Sequence, residues 1–523
     1  MIRGGIAVAP HADAARAAAA VLGEGGNAIE AMVTAAATIA VVYPHMNGIG
    51  GDAFWLVHEP GRAPRAIDAC GQAGSGVDAA LYAGLASIPV RGPLAANTVA
   101  GTIGGWDLAL AHSRGAWNGR LPLERLLAPA IEFAERGIAV TKSQESSTAA
   151  KLVELARQPG FGGRFLPGGR VPVQGDTFVQ RPMGAALRRL AEAGLDDFYR
   201  GELARSIASE LAASGSPLRL PDLEAYRAEW REPLTIEHTR GTLFNMTPPT
   251  QGVVSLMILG ILDRLPAPAP ESADYVHAIV EATKQAFAVR DRHVTDPRYM
   301  SVDAASLLSH DALDGLACAI DPARAKPWGS RTAAGDTVWM GVIDAGGRAV
   351  SFIQSIYHEF GSGIVLPSTG INWQNRGCSF ALDPAARNAL LPGRKPFHTL
   401  NPALALLSDG RTMVYGTMGG DGQPQTQAAV FTRHVLHGMP LQEAVSAPRW
   451  LLGRTWGSMS ESLKLESRFD PALVQELARR GHDVEVVGAF DEIVGHAGAL
   501  VRRADGRLDG GYDPRSDGAV ARP

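Results

Sequence analysis

The chain has 523 residues, too many for one ordinary core, so roughly two to four domain-sized units or one large two-part domain are expected. A formal net charge of −4 gives no electrostatic basis for a nucleic-acid or membrane partner, and 60 glycines with abundant alanine favour tight turns and close helix packing over disorder. Cys70, Cys318 and Cys378 are an odd, widely spaced set without a CxxC pair, which argues against a disulfide framework or a cysteine zinc site and fits a reducing compartment.

The N-terminal stretch MIRGGIAVAPHADAARAAAAVL lacks the continuous apolar run and cleavage site of a signal peptide, so a cytoplasmic protein is expected. Residues 11 to 22 and 28 to 43 have the alanine-rich composition of two packed helices, divided by the breaker GEGGN. The apolar run Ala31 to Tyr43 is shorter than the roughly 20 residues that cross a bilayer and reads as a buried helix. A glycine-rich turn, Gly48 to Gly51, then leads into a β-like run from Phe54 to His58.

From about 120 to 290 the pattern is mostly helical, with Ser272 placed to cap a long helix through Arg292. Val276, Ile279, Val280 and Phe287 form its apolar stripe, interrupted by Thr283. After Gly335 the pattern turns to strands: Val338 to Ile343 and Ala349 to Ile356 around the turn DAGG, then Gly363 to Leu366, Gly370 to Trp373, Ala403 to Leu407 and Thr412 to Gly416. Helical runs follow at 424 to 437 and 441 to 446, and the end, GGYDPRSDGA, is rich in turn residues. Sheet-rich segments between helices predict an α+β layered architecture.

One residue in this pattern carries chemistry. Thr337 follows a Gly-Asp pair and opens GDTVWMGVIDAGGRAVSFIQS. A threonine hydroxyl needs an adjacent base to act as a nucleophile, and its own α-amine supplies one once the Asp336–Thr337 bond is cut, since that amine titrates near 7.7–8.0. Taken alone, Thr337 is also an ordinary strand threonine. The glycine runs at 48–51 and 419–422 lack GxGxxG or P-loop spacing, and no HExxH, Cys/His cluster or spaced carboxylate set points to a metal. No cofactor is expected.

The motifs GEGGNAIEAMVTAAA, PHMNGIGGDAFWLV, NTVAGTIGGWDLAL, EATKQAFAVRDRH, GDTVWMGVID, FGSGIV, GTMGGDGQPQ and YDPRSDGA, in this order, resemble the γ-glutamyltranspeptidase family of N-terminal-nucleophile hydrolases. The resemblance implies a four-layer αββα sandwich, made as a proenzyme and cleaved before Thr337 into a large subunit, 1–336, and a small one, 337–523, that remain intertwined. It makes Thr337 the nucleophile and, through its freed amine, the base. Gly419 and Gly420 match the family's oxyanion-hole glycines, against an ordinary tight turn, and Ser355 matches a hydroxyl residue that orients the nucleophile, against plain strand polarity.

Where a γ-glutamyl donor would be held, the sequence departs from the family. A site for such a donor needs an arginine for the α-carboxylate and an acid for the α-amine. No arginine occurs from Gly71 through Pro89, Ala79 being the nearest matched position; Ser379 stands where the aspartate is expected; His398 and Thr399 replace two serines; and the lid loop between Ser379 and Arg394 is short. Arg376 replaces a family glutamine and, with His398 and neighbouring Asn375 and Thr399, offers a clamp for a small carboxylate, against a structural ion pair for Arg376 and a satisfied histidine for His398. His45 and Asn47 read as turn residues lining the site, and Asp52 and Asp421 as caps of glycine turns.

Within the family the altered acyl site is most similar to the branch that cleaves oxamate to oxalate and ammonia in the breakdown of purine-derived nitrogen. The alternatives are a glutathione hydrolase or γ-glutamyltransferase, a cephalosporin-type acylase, and an uncleaved degenerate scaffold. The expected partners are a small amide substrate and the two subunits of one precursor, without nucleic acid or membrane; a homo-oligomer stays open.

Overall fold

Two antiparallel sheets lie face to face at the centre of the computed structural model, which describes residues 4–329, 336–453 and 460–523. The first sheet runs Ala519–Ala521, Ile6–Ala9, Asp336–Ile343, Ala349–Tyr357, Asp52–His58, Arg65–Ala69, Glu229–Arg231. The second runs Leu508–Tyr512, Ala497–Arg502, Thr412–Thr417, Ala403–Leu407, Gly241–Asn245, Leu234–His238. Each sheet draws strands from both sides of Asp336.

Strand alternation explains the layering. In Asp336–Ile343, Val338, Met340 and Val342 join the core beneath one helix layer, whereas Trp339 and Ile343 enter the core between the sheets. Phe54 and Leu56 of Asp52–His58, and Ala349 and Ile353 of Ala349–Tyr357, join them there against Leu404, Val414 and Leu500 of the second sheet. A third core lies between the second sheet and the helices Gly252–Leu262, Ala273–His293 and Gly422–Phe431. Three cores between four layers make the αββα sandwich.

Trp339 is the key of the inter-sheet core. Its indole lies where two strands of the second sheet carry no side chain: a Cβ on Gly416 would come within 2.2 Å of the ring, and one on Gly498 within 2.7 Å. The indole N–H donates to Ser351 Oγ at 3.0 Å, so the ring is fixed at both edges. This packing anchors the strand two residues after Thr337.

The helix Ala28–Val42 is buried along its whole length. Asn27 caps it by accepting from the Ile29 and Glu30 N–H groups, and the Glu30 carboxylate accepts the Asn27 N–H at 2.9 Å, a complete capping box. Among the described residues no helix is long and apolar enough to cross a membrane. Ser272 caps the helix Ala273–His293 as expected, accepting the Tyr275 N–H at 3.1 Å, and the Thr283 hydroxyl on its apolar stripe turns back to Ile279 C=O at 2.7 Å.

The sequence pattern misplaces several elements. The stretch expected to be mostly helical holds Glu229–Arg231, Leu234–His238 and Gly241–Asn245, although Leu234 and Ile236 alternate with exposed Thr235 and Glu237 as a half-buried strand should. Gly363 to Leu366 and Gly370 to Trp373 form a turn with isolated bridges, Val365 to Asn372 and Trp373 to Gly50, in place of strands, because Gly363 and Gly370 adopt left-handed φ of 77° and 65°. The turn-rich end contributes two strands, Leu508–Tyr512 and Ala519–Ala521. The adjacent basic residues Arg394 and Lys395 both turn inward: Arg394 is buried among the Ala389 and Arg387 carbonyls and Thr295, and Lys395 pairs with Asp68 at 2.7 Å.

Candidate active site

Thr337 is the second residue of the strand Asp336–Ile343 and is buried. Alternation places it on the same face as Trp339, toward the second sheet. The neighbouring strand bulges at this point: Gln354 pairs with Val338 and Tyr357 with Asp336, so Ser355 and Ile356 together oppose Thr337. The bulge puts Tyr357 at φ 82°, a region that non-glycine residues rarely occupy, and Ser355 Oγ holds it there by accepting the Tyr357 N–H at 2.8 Å. The side chain of Asp336 and residues 330–335 lie outside what is described.

Across the next strand Ser355 pairs with Asp52. Asp52 shares the inter-sheet face of Phe54 and Leu56, and Ser355 that of Ile353. Thr337, Ser355 and Asp52 therefore form a row across three strands, about 9–10 Å from end to end at two strand spacings.

Opposite this row, the second sheet ends in a glycine turn. Gly419 and Gly420 follow the strand Thr412–Thr417 with φ of 114° and 53°, and the helix Gly422–Phe431 starts directly after them. Among the described residues neither the Gly419 nor the Gly420 N–H meets an acceptor, so both donors remain available at the end of the sheet. Gln251 braces the turn, donating to both Gly420 C=O and Thr399 C=O at 2.9 Å. Arg290 holds Gln251 in turn, donating to its Oε1 at 2.9 Å and to Asp421 at 2.8 Å. Asp421 thus belongs to a buried ion pair. Nothing in the local sequence signals Gln251 and Arg290, which reach the turn from 169 and 131 residues away.

Arg376 is the most unusual group near this row. It is 1 % exposed, its guanidinium carbon lies 3.7 Å from the Tyr357 ring centroid, and none of its three guanidinium nitrogens has a hydrogen-bond partner. Burial depresses its pKa, which the neighbouring Tyr357 and Asp52 partly restore. His398 Nε2 lies 3.4 Å from Asp52 Oδ2 without making a hydrogen bond, and the imidazole stands edge-on to Phe54. Burial and then Arg376 push the His398 pKa well below its usual range, so His398 is a neutral donor or acceptor, and the clamp contains one cation rather than two. The Thr399 hydroxyl is also buried without a partner. A cluster of desolvated, unpartnered polar groups with one buried cation is the environment an anion satisfies.

Asn375 is differently placed. Its amide donates to Val90 C=O at 2.8 Å and accepts the His358 N–H at 3.1 Å, so it ties down the loop after Tyr357. His45 and Asn47 lie behind the sheet on its helix-facing side: His45 Nε2 contacts Ser143 Oγ at 3.1 Å, and Asn47 Oδ1 accepts from Gln354 at 2.8 Å. They do not line the nucleophile's face. Ala79 is exposed, and the Ser379 hydroxyl donates to Phe397 C=O at 3.3 Å. Asn97 was not apparent from sequence, yet it lies against the turn that carries Arg376, where a Cβ on Gly377 would come within 1.6 Å of its Oδ1.

A His/Glu cluster that the sequence did not reveal lies elsewhere, in His277, Glu281 and His482. The imidazoles bond each other at 2.8 Å, and the Glu281 oxygens accept from Lys284 at 2.7 Å and from the Lys326 N–H at 3.1 Å. A metal would have to displace these existing partners.

Comparison with known proteins agrees with the layered fold. The family model described as Gamma-glutamyltranspeptidase matches residues 14–522. The chain is 60% identical over 517 residues to an oxamate amidohydrolase proenzyme of Klebsiella pneumoniae subsp. pneumoniae, covering 99% of this chain and 98% of that one. It is 41% identical to a glutathione hydrolase-like YwrD proenzyme of Bacillus subtilis, over 98% of this chain and 97% of that one. Among solved structures, a cephalosporin acylase from Bacillus halodurans superposes with a TM-score of 0.91 at 34% identity, covering 99% of this chain and 96% of that one. The chain belongs to the γ-glutamyltranspeptidase family of amide-cleaving hydrolases.

Proposed function

We propose that the chain cleaves itself between Asp336 and Thr337 and then hydrolyses oxamate to oxalate and ammonia. The observation that carries this reading is the buried, unpartnered guanidinium of Arg376, stacked on Tyr357 beside the row that begins at Thr337. Oxamate carries its carboxylate directly on the scissile carbonyl, so its cation must lie close to the nucleophile and its pocket can be small. The 60% identity to the Klebsiella oxamate amidohydrolase supports the same substrate.

Cleavage would leave a large subunit, 1–336, and a small one, 337–523. Both sheets contain strands from each piece, so the subunits would stay interleaved. The new α-amine of Thr337 takes the hydroxyl proton as Oγ attacks the amide carbonyl. Ser355, across the bulge, orients the threonine. The developing oxyanion meets the Gly419 and Gly420 N–H groups, fixed in advance by Gln251. Collapse expels ammonia with the proton from the amine, and water then resolves the oxalyl ester by the same route.

During these steps Arg376 holds the substrate carboxylate, and His398 and Thr399 supply neutral hydrogen bonds around it. The absent γ-glutamyl contacts fit this assignment, since exposed Ala79 and the backbone-bonded Ser379 leave the α-carboxylate and α-amine of a γ-glutamyl group without partners. Three cysteines in no disulfide suit a cytoplasmic setting.

The test is direct product analysis. Purified protein given oxamate is expected to release ammonia and oxalate in equal amounts. A cleaved, folded enzyme that releases neither would refute the reading.

A further inference from the structure

Asp52 is more than a cap for a glycine turn. Its Oδ1 does accept the Gly71 N–H at 2.9 Å and the Gly101 N–H at 3.1 Å. Its Oδ2 is buried without a hydrogen-bond partner, 3.4 Å from an equally unpartnered His398 Nε2. The register that pairs Asp52 with Ser355 sets this second oxygen at the far end of the row from Thr337, beside the cluster that contains Arg376.

A substrate carboxylate that docks on Arg376 therefore enters a site already holding a second carboxyl group. Two desolvated carboxylates facing one guanidinium repel each other, and one of them is driven to take a proton. We infer that Asp52 is a specificity-determining residue whose carboxyl takes up a proton from solvent as the substrate's carboxylate binds Arg376. The protonated Oδ2 then donates to His398 Nε2, which joins the two unpartnered groups.

The surroundings make Asp52 the group that changes charge. Cys70 at the neighbouring strand end, and Tyr199 and Tyr226 from the helix layer, are pushed up by burial and stay neutral. His398 from the second sheet is pushed down and is also neutral. Lys395, which acts on His398, is paired with Asp68 at 2.7 Å. Arg376 carries the positive charge. Burial raises the Asp52 pKa to about 7, against the Gly71 N–H, the charge of Arg376, the Gln374 side chain and the Gly101 N–H, so its proton exchanges in the neutral range.

This inference rests on the oxamate reading, and the two fail differently. The experiment is the KM for oxamate from pH 6 to 9 in wild type and Asp52→Asn, whose side-chain oxygen can still accept from Gly71 and Gly101. Wild-type KM should be flat below pH 7 and rise above it toward about tenfold per pH unit, whereas the variant keeps a low KM across the range. Titration of the Thr337 amine is common to both proteins and cancels in the comparison.

Proton uptake by the wild type, read calorimetrically with oxalate in two buffers of different ionisation heat, covers the case in which the variant does not fold. Up to one proton taken up per oxalate above pH 7 supports the inference. A flat wild-type KM, a variant that keeps the rise, or binding without proton uptake overturns it while leaving oxamate hydrolysis intact. No turnover of oxamate by cleaved enzyme overturns both.

Discussion

Arg376 stacks its guanidinium on the ring of Tyr357 at 3.7 Å, and Tyr357 is the residue that pairs with Asp336 across the bulge. The cation is thus fixed, by one aromatic face, beside the peptide bond at which the chain is proposed to cut itself. An aromatic platform compensates only part of the cost of burying a charge, and the rest awaits an anion.

Replacing Arg376 by Met tests that division. Loss of a charge-assisted clamp should raise the KM for oxamate roughly 30- to 150-fold, corresponding to about 2–3 kcal/mol. Because the guanidinium has no hydrogen-bond partner in the unliganded protein, the variant should be as stable as wild type or more so. Steady-state kinetics and a denaturant melt check both. A large loss of stability would mean that Arg376 is structural.

Thr337→Ala should remain one chain on a denaturing gel and show no turnover, while wild type gives two bands matching 1–336 and 337–523. Mass spectrometry of the smaller wild-type band should place threonine at its N-terminus. Normal processing of the variant would remove Thr337 from the mechanism.

Gly416→Ala drives a methyl group to 2.2 Å from the Trp339 indole, which Ser351 and Gly498 hold from other sides. Overpacking here should cost about 1–3 kcal/mol, read as a lower denaturation midpoint. Since Trp339 anchors the strand of Thr337, self-cleavage should slow as well. An unchanged midpoint would show that the inter-sheet core has slack.

Asp52 also predicts a pH dependence of stability. Its folded pKa of about 7 exceeds the ordinary value of 3.8, so between these values the native state binds more protons than the unfolded chain. Asp52 therefore costs stability progressively as pH rises from about 4 to 7, and the full cost persists above that range. Asp52→Asn abolishes this contribution. The stability of the variant relative to wild type should increase over that window in urea titrations at several pH values, and a constant difference would contradict the assignment.

The fold was legible where a motif is local. The helix Ala28–Val42, the cap at Ser272 and the two strands around DAGG follow from composition and turn chemistry within a few residues. Gly241–Asn245 was lost among helices because this short strand gains its stability from the partner Ala403–Leu407, far along the chain, and Leu234–His238 was lost with it because it is an edge strand paired to Gly241–Asn245. The site divides similarly. Arg376 and His398 stand out because they replace other residues in known motifs, but the neutrality of His398 and the charge state of Asp52 depend on burial, which sequence does not display. Gln251 and Arg290 brace the glycine turn through tertiary contacts alone.

The central claim is that a self-cleaved Thr337 enzyme reads a carboxylate set directly on the scissile carbonyl. Comparing kcat/KM for oxamate, glutathione and a γ-glutamyl anilide on the same cleaved preparation tests it most directly. Oxamate should be preferred by at least about a hundredfold, since a site built around one buried cation leaves the polar groups of a γ-glutamyl substrate unpaired. Preference for either γ-glutamyl substrate would contradict the account.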